Sequence, residues 1–374
     1  MKIKVRKKSL ITGNNNLERL YSIKKFPAFI GCTEKPRKED IFADMEFDIC
    51  KDTGLVQLRK LLPLELIYKK YHSEAIGDLW KEHNQEFSKI ILSQDIKNVL
   101  ELGGSNFRLA NIILDEKEKI NWTVIDPSIK SSDSRINTVN SFFDEGFKKD
   151  KNIPTVVHSH FLEHSYNPIK TLKNIYKILE PKGKHIFSVP NLYKWLQKKT
   201  PSTLNFEHTL FLTEYFIDNL LPSLGFKIVN KKYFKDHSIF YITEKEKSKE
   251  KIYLENKYKD HKTLFQKFIN YHEEEVREIN PKIKNFKGDI YLFGGHIFSQ
   301  FLLSFGLDKE KIKGILDNSK LKQGKRLYGS SFAVSSPEIL RDKKNIAVIL
   351  KAGFYTEEIS KQILEINKNA IIFS

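Results

Sequence analysis

Hydrophobic positions change their period along this chain in a regular way. In "VLELGGSNFRLANIIL", Val99 to Leu114, an apolar run ends in an acid, meets Gly103-Gly104 and continues as apolar residues at helical spacing. That succession predicts a buried strand, a tight turn and a helix. The alternation goes on through "WTVIDPS" and "TVVHSHFLEHSYNPIKTLKNIYKILEPKGKHIFSVPN", which read as strand, loop, helix, Pro-Lys-Gly turn and strand. Residues 74–244 are therefore expected to form βαβ units around a mainly parallel sheet. Ahead of them, residues 1–73 hold short β-like pieces such as "FPAFIGC" and "FDICKDTGLVQL". Behind them, the charged stretch 245–285 keeps apolar residues at helical spacing and predicts a long amphipathic connector helix. From 286 to 374, "GDIYLFGGHIFSQFLLSFGL" opens a second strand–glycine turn–helix, extended by "NIAVILKAGFYTEEISKQIL" into a small α/β domain.

Composition narrows the class. A chain of 374 residues is too long for one ordinary core, so two or three domains are expected. The 40% hydrophobic and 30% charged content belongs to a soluble globular protein, and no apolar run is long enough to predict a membrane span. The basic start "MKIKVRKKSLITGNNNLERL" lacks the apolar core of a secretory signal. Cys32 and Cys50 are the two cysteines, which excludes a disulfide framework and points to a reducing cytoplasm. A net charge of +17 raises the question of nucleic acid. The lysines, however, are spread along the whole chain and arginine is scarce, so the excess reads as attraction for small anionic substrates rather than a nucleic-acid surface.

The chemistry concentrates in the middle segment. The turn after "NVLEL" places helix N–H groups beside a ligand, and Asp126, about 20 residues on at the end of "WTVID", can accept hydrogen bonds from ribose hydroxyls. NAD and S-adenosylmethionine both satisfy these features. A full G-x-G-x-G would put glycine where Ser105 and Phe107 stand. A cofactor without a pyrophosphate tolerates that loss, with Asn106 expected to adopt the awkward turn geometry. Past the fifth strand, "TLNFEHTLFLTEYF" offers His208 as a general base for an acceptor held in line, with Glu207 to orient it or share the proton. His158, His160 and His164 alternate near a strand end without a carboxylate or cysteine partner in the pattern, so no metal is expected; His237 reads as structural.

This order of elements resembles class I S-adenosylmethionine-dependent methyltransferases, whose fourth strand is followed by a Leu-Glu-His loop, here Leu162-Glu163-His164, and whose fifth strand follows a turn like "LEPKGKHIF". The resemblance implies S-adenosylmethionine as cofactor, held by Glu101, Gly103, Gly104, Asn106 and Asp126. Ser141-Phe142 would flank the adenine, and His160-Phe161 would lie near the methionine portion. The ends of the chain are similar to nucleotide-sugar C-methyltransferases. Gly54 to Leu58 ("GLVQL"), Tyr68, Tyr71, Trp80 and His83 match their zinc-binding N-terminal part, and "GILDNSKLKQGKRLYGS" matches their Rossmann-like C-terminal domain. The second cysteines of two C-x-x-C pairs are replaced by Lys35 and Thr53, which implies a zinc-ribbon-like subdomain that keeps its shape without zinc.

By that likeness, Glu207-His208 would lie by the sugar and Tyr71 would reach it, while Asn205 stands where a tyrosine usually precedes the pair. The fold expected is an α/β class I methyltransferase core with a small β-rich N-terminal part and a Rossmann-like C-terminal domain. The function expected is methyl transfer to a nucleotide-linked sugar or related glycan precursor, with His208, Glu207 and Tyr71 as catalytic residues and neither nucleic acid nor membrane as partner. Methylation of oxygen or nitrogen on another small anionic acceptor, and a non-catalytic binding protein with a decayed cofactor site, are the alternatives.

Overall fold

Seven strands of the middle segment hydrogen-bond into one sheet: β1 Asn98–Leu102, β2 Asn121–Ile125, β3 Ile136–Val139, β4 Ile153–Ser159, β5 Leu179–Pro190, β6 Phe226–Phe234 and β7 Ser238–Lys245. Their order is β3-β2-β1-β4-β5-β7-β6, and β7 alone runs against its neighbours. In this computed structural model residues 3–70, 77–143, 147, 152–247 and 251–374 are described. Neighbouring residues of a strand point to opposite faces, and the sequence supplies apolar side chains to both. Val99, Val157 and Ile186 join the layer of Phe87 and Ile91 from α1 (Asp78–Leu92) and of Leu109 and Ile113 from α2 (Arg108–Glu116). Leu100, Val156 and Phe187 join the opposite layer, with Leu172 and Ile175 of α3 (Pro168–Ile178) and Phe216, Ile217 and Leu220 of α4 (Glu214–Ser223). The start of α3 is fixed locally, since Asn167 accepts a hydrogen bond from the Lys170 N–H and Pro168 sits at the first helical position. The Pro-Lys-Gly sequence at 181–183 does not end a separate turn. β5 runs through it, with Lys182 at φ 65° and a register shift against β4.

Residues 17–27, 42–50 and 56–58 form a three-stranded antiparallel sheet. Its core is not private: Met45, Phe47 and Leu58 pack in one cluster with Phe265, Phe268 and Ile269 of α5 (Tyr258–Asn285). Farther along α5, Val276, Ile279 and Ile283 enter the core of the last sheet. That sheet contains β8 Asp289–Phe293, β9 Ile312–Leu316, β10 Val334–Ser335, β11 Ile346–Ile349 and β12 Ile371–Phe373 in the parallel order β10-β9-β8-β11-β12. The connector becomes helical at Tyr258, later than expected. Residues 251–257 run without regular structure over the 50–54 turn, where Gly54 at φ 78° leaves room: a Cβ there would lie 2.5 Å from the Lys257 carbonyl carbon.

The two cysteines lie in different settings. Cys50 is buried with Leu55 and Leu100, and the Cys32 thiol donates to the Gly295 carbonyl at 3.2 Å. The N-terminal sheet is bolted to the C-terminal domain by polar contacts instead. Arg326 meets Asp40 bidentately at 2.7 and 2.6 Å, Asp40 also accepts from the Gly329 N–H, and Gln300 donates to the carbonyls of Phe29 and Tyr328. The Asp40 carboxylate is wholly buried, so its replacement leaves the Gly329 amide without an acceptor and the Arg326 guanidinium with only the Lys35 and Ser330 carbonyls. Asp40→Ala is expected to lower the free energy of unfolding by about 3 kcal/mol in a urea titration, and Asp40→Asn by less.

Candidate active site

The carboxyl ends of β1, β2, β3 and β4 open onto a crevice of about 2010 Å³, where ligands bind in open α/β sheets. The turn after β1 is shaped by its glycines. Gly103 sits at φ 82° with its N–H donated to the Ile125 carbonyl at 2.9 Å, and a Cβ on it would stand 3.0 Å from the Phe161 ring. A Cβ on Gly104 would lie 2.6 Å from the Glu101 carboxyl group. The awkward geometry falls on Phe107, at φ 57°, and not on Asn106, which instead accepts a hydrogen bond from the Arg108 N–H at 3.2 Å. Burial of the Phe107 ring beside Trp122 and Ile113, worth roughly 2 kcal/mol, offsets the cost of a left-handed residue. The ring therefore points into the α1–α2 layer, away from the crevice, and both positions that lack glycine leave it open.

Glu101, under the turn, accepts a hydrogen bond from the Trp122 indole at 2.8 Å. Burial pushes its carboxyl up to about 7; the indole works against that shift and Asp126 adds to it. Asp126 follows β2 and accepts from the Ser128 N–H at 2.7 Å. It lines the crevice, as do Asn106, Ser141 and Phe142 after β3, and His160 and Phe161 after β4. All the residues expected to hold the cofactor thus meet in one cavity.

The far side of the crevice is a histidine cluster. His160 is held at φ 48°, with Nε2 2.8 Å from the Ser238 hydroxyl, Nδ1 3.3 Å from Glu163 and the ring edge-on to Trp80. His83 and His237 flank it, and burial holds all three imidazoles far below their ordinary range, hence neutral. Beside them, burial followed by the neighbouring His164 pushes His208 down to about 4. Its Nδ1 is 3.2 Å from the Thr203 carbonyl and its ring is edge-on to His164. The Glu207 carboxylate lies 3.4 Å from Nδ1 of His164. Burial works to lower His164, but Glu207 and Glu163 carry it above its usual range.

The loop that presents this pair is built by Asn205, whose side-chain oxygen accepts from the N–H groups of Glu207 and His208 at 2.7 and 2.8 Å and whose amide donates to Ser202. Arg6, buried and with no carboxylate partner among the described residues, clamps the other end by donating to the carbonyls of Thr209 and Tyr166 at 2.6 Å each. Tyr71 and the side chain of Tyr68 lie outside the described residues. Sequence reasoning recognised the Leu-Glu-His loop but gave Glu163 and His164 no role. His237, which it read as structural, lines the crevice.

Residues 71–231 match the family model of a methyltransferase domain, and residues 229–373 that of a C-methyltransferase C-terminal domain. No curated protein matches the chain closely. Among solved structures it is similar to the N-methyltransferase NodS from Bradyrhizobium japonicum WM9, at 14% identity and TM-score 0.34 over 46% of this chain and 98% of that one. It is also similar to the plantazolicin methyltransferase BpumL, at 11% and 0.36 over 45% and 84%, and to an O-methyltransferase family protein from Burkholderia thailandensis, at 11% and 0.36 over 46% and 57%. The strand order and the domain match together identify the class I methyltransferase fold.

S-adenosylmethionine fits the residues present. The turn has Gly103 in the left-handed region with the Phe161 ring beside it, a carboxylate at the end of β2, and the Phe107 ring packed in the opposite layer. Among the described residues no helix is long and apolar enough to cross a membrane.

Glu101 gives the site a measurable pH signature. Its pKa rises from 4.5 unfolded to about 7 folded, so its contribution to stability is complete below pH 4.5 and is lost as pH climbs through 7. Glu101→Gln, which keeps an oxygen for Trp122, is expected to abolish that loss. Relative to the parent, the variant should gain about 3 kcal/mol between pH 4 and pH 8 in urea titrations.

Proposed function

We propose that this chain, an S-adenosylmethionine-dependent methyltransferase, methylates a nucleotide-activated sugar or a related glycan precursor, with His208 as general base. The observation that carries the reading is the extent of the crevice. At about 2010 Å³ it exceeds what one small ligand fills, and it continues past the sheet edge to the carboxyl ends of β8 and β9. Lys198 and Lys199 line it from the methyltransferase half, and Lys322, Lys325 and Lys351 from the C-terminal half. A long anionic acceptor, with a diphosphate among the lysines and a sugar at His208, suits that shape and charge.

S-adenosylmethionine supplies a sulfonium-bound methyl group. In this reading Asp126 takes the ribose hydroxyls, Gly103, Gly104 and Asn106 carry the backbone against the cofactor, and Glu101 shapes the turn from beneath. Ser141 and Phe142 flank the adenine, and His160 and Phe161 bound the methionine end. His208 donates Nδ1–H to the Thr203 carbonyl, which leaves Nε2 to receive a proton from the acceptor as the methyl is passed in line. Glu207 acts one step removed, holding His164 against His208, and Tyr71 would reach the sugar from the N-terminal side. A cytoplasmic setting goes with two reduced cysteines. A second reading, transfer to oxygen or nitrogen of another small anionic acceptor, draws support from Asn205. Its side chain is spent on the loop, so that position supplies no phenol to a carbon acid.

Radiolabelled S-adenosylmethionine with a panel of nucleoside-diphosphate sugars should give a labelled product whose NMR spectrum separates a new C–CH₃ from a new O–CH₃. Absence of cofactor binding in calorimetry would refute the reading outright. Asp126→Ala is expected to weaken cofactor binding roughly 10- to 100-fold without unfolding the chain. His208→Asn is expected to lower kcat by roughly 10²- to 10⁴-fold with cofactor affinity retained.

A further inference from the structure

The first residues of the chain reach the active-site loops through one side chain. Lys4 and Val5 pair antiparallel with Leu61 and Lys60, and the Arg6 N–H continues the ladder to the Arg59 carbonyl at 2.9 Å. The Arg6 side chain turns inward, where the residue is 6% exposed. Its guanidinium donates to four oxygens on three separate segments. Nη1 meets the carbonyls of Leu58 at 3.1 Å and Thr209 at 2.6 Å, while Nη2 meets the Tyr166 carbonyl at 2.6 Å and the Thr209 hydroxyl at 3.1 Å. None of these four partners is charged, and burial draws the guanidinium down to about 9. A buried cation with no carboxylate partner among the described residues is a costly way to fill space. The planar fork is the feature that no other side chain supplies, since it fixes several oxygens at set angles at once.

The segments joined by the fork are the ones that present the crevice side chains. Tyr166 closes the loop that carries Glu163 and His164, and Thr209 follows directly on Glu207 and His208. Thr209 is the hub between them. Its N–H donates to the Glu163 carbonyl at 3.2 Å, its hydroxyl donates to the Ser165 carbonyl at 2.8 Å, and its own carbonyl accepts from the Leu58 N–H at 2.9 Å. Arg6 completes this set. It takes the second lone pair of the Thr209 carbonyl, and its bond to the hydroxyl oxygen leaves the hydroxyl proton for Ser165. The same two loops meet again where Glu207 lies 3.4 Å from Nδ1 of His164, with the His208 ring edge-on to His164.

We propose that Arg6 is a positioning residue for methyl transfer, setting the spacing of the Glu163–His164 loop against the Glu207–His208 loop. Arg6 stands behind the crevice wall that Tyr166 and His208 line, and so acts through Tyr166 and Thr209. A displacement of about 1 Å at a reacting group costs on the order of 10² in rate, so the clamp is read in kcat. The inference rests on the reading of His208 as general base, whose alignment the clamp controls.

The full chain with isotope-labelled imidazoles tests the clamp without an acceptor. Ring signals of His164 and His208, assigned through His164→Asn and His208→Asn, report their tautomers and hydrogen bonds. Both signals should move in Arg6→Met. In Arg6→Ala, millimolar guanidinium chloride should return them toward the parent positions, and sodium chloride should not. With a nucleoside-diphosphate sugar that the chain methylates, Arg6→Met should lower kcat roughly 10- to 100-fold while KM for the cofactor stays within about 2-fold. Thr209→Val, which removes the hydroxyl and keeps the guanidinium, should lower kcat roughly 10-fold, and it decides the matter if the thermal midpoint shows that Arg6→Met fails to fold. A residue that only held the fold would shift the midpoint and leave the ring signals of the folded molecules unmoved. Signals that stay in place, or an unchanged kcat in a folded variant, overturn the clamp and leave His208 as base. Full kcat in His208→Asn overturns the base instead, and the kinetic role of Arg6 with it. If no sugar is methylated, the ring signals alone decide the clamp.

Discussion

One buried stripe along α5 holds the working parts together. Phe265, Phe268 and Ile269 lie in the core of the N-terminal sheet, and Val276, Ile279 and Ile283, about two to four turns on, lie in the core of the C-terminal sheet. A helix cannot leave either core without exposing large apolar side chains at roughly 2 kcal/mol each. The C-terminal sheet is thereby fixed with the ends of β8 and β9 over the ends of β1, β2 and β4. Between those two parts of the stripe, Tyr271, His272 and Glu275 form part of the crevice wall, and Glu275 reaches Lys351 at 3.1 Å.

Closure removes water, and that sets the electrostatics. The same burial acts on groups of opposite type: it raises Glu101 toward neutrality and lowers His83, His160, His208 and His237 away from protonation. A site full of neutral imidazoles favours groups that accept a proton over groups that carry charge of their own. His164 is the exception, because it stands between two carboxylates. The resulting chain Glu163–His164–Glu207, with His208 packed against it, is one connected unit in which a change at any member moves the proton preference of the others.

Much of this was legible in the pattern of residues, and the failures are instructive. The succession of buried strands and amphipathic helices gave both α/β sheets, because period and turn chemistry are local properties. The residues expected on the cofactor side line one crevice, since a strand–turn–helix brings the turn residues and the acid of the next strand to the same edge. The turn itself was half read. Replacement of two glycines was visible, but the residue that took the left-handed geometry was Phe107, because a ring can repay strain when a hydrophobic layer is waiting for it. Glu207 was linked to His208 by adjacency in sequence; its contact with His164, which lies 43 positions earlier, came only with the fold.

Sequence alone determined which segments fold as strand or helix, where the chain turns, and which stretch ends beside a nucleotide-type ligand, since each depends on neighbours a few residues apart. Tertiary structure decided which carboxylate faces which imidazole, how dry each is, and that one crevice belongs to two sheets. Those properties arise from contacts between residues far apart in the chain, as between Arg6 and Thr209 or Asp40 and Arg326, and from the exclusion of water that only the packed molecule achieves.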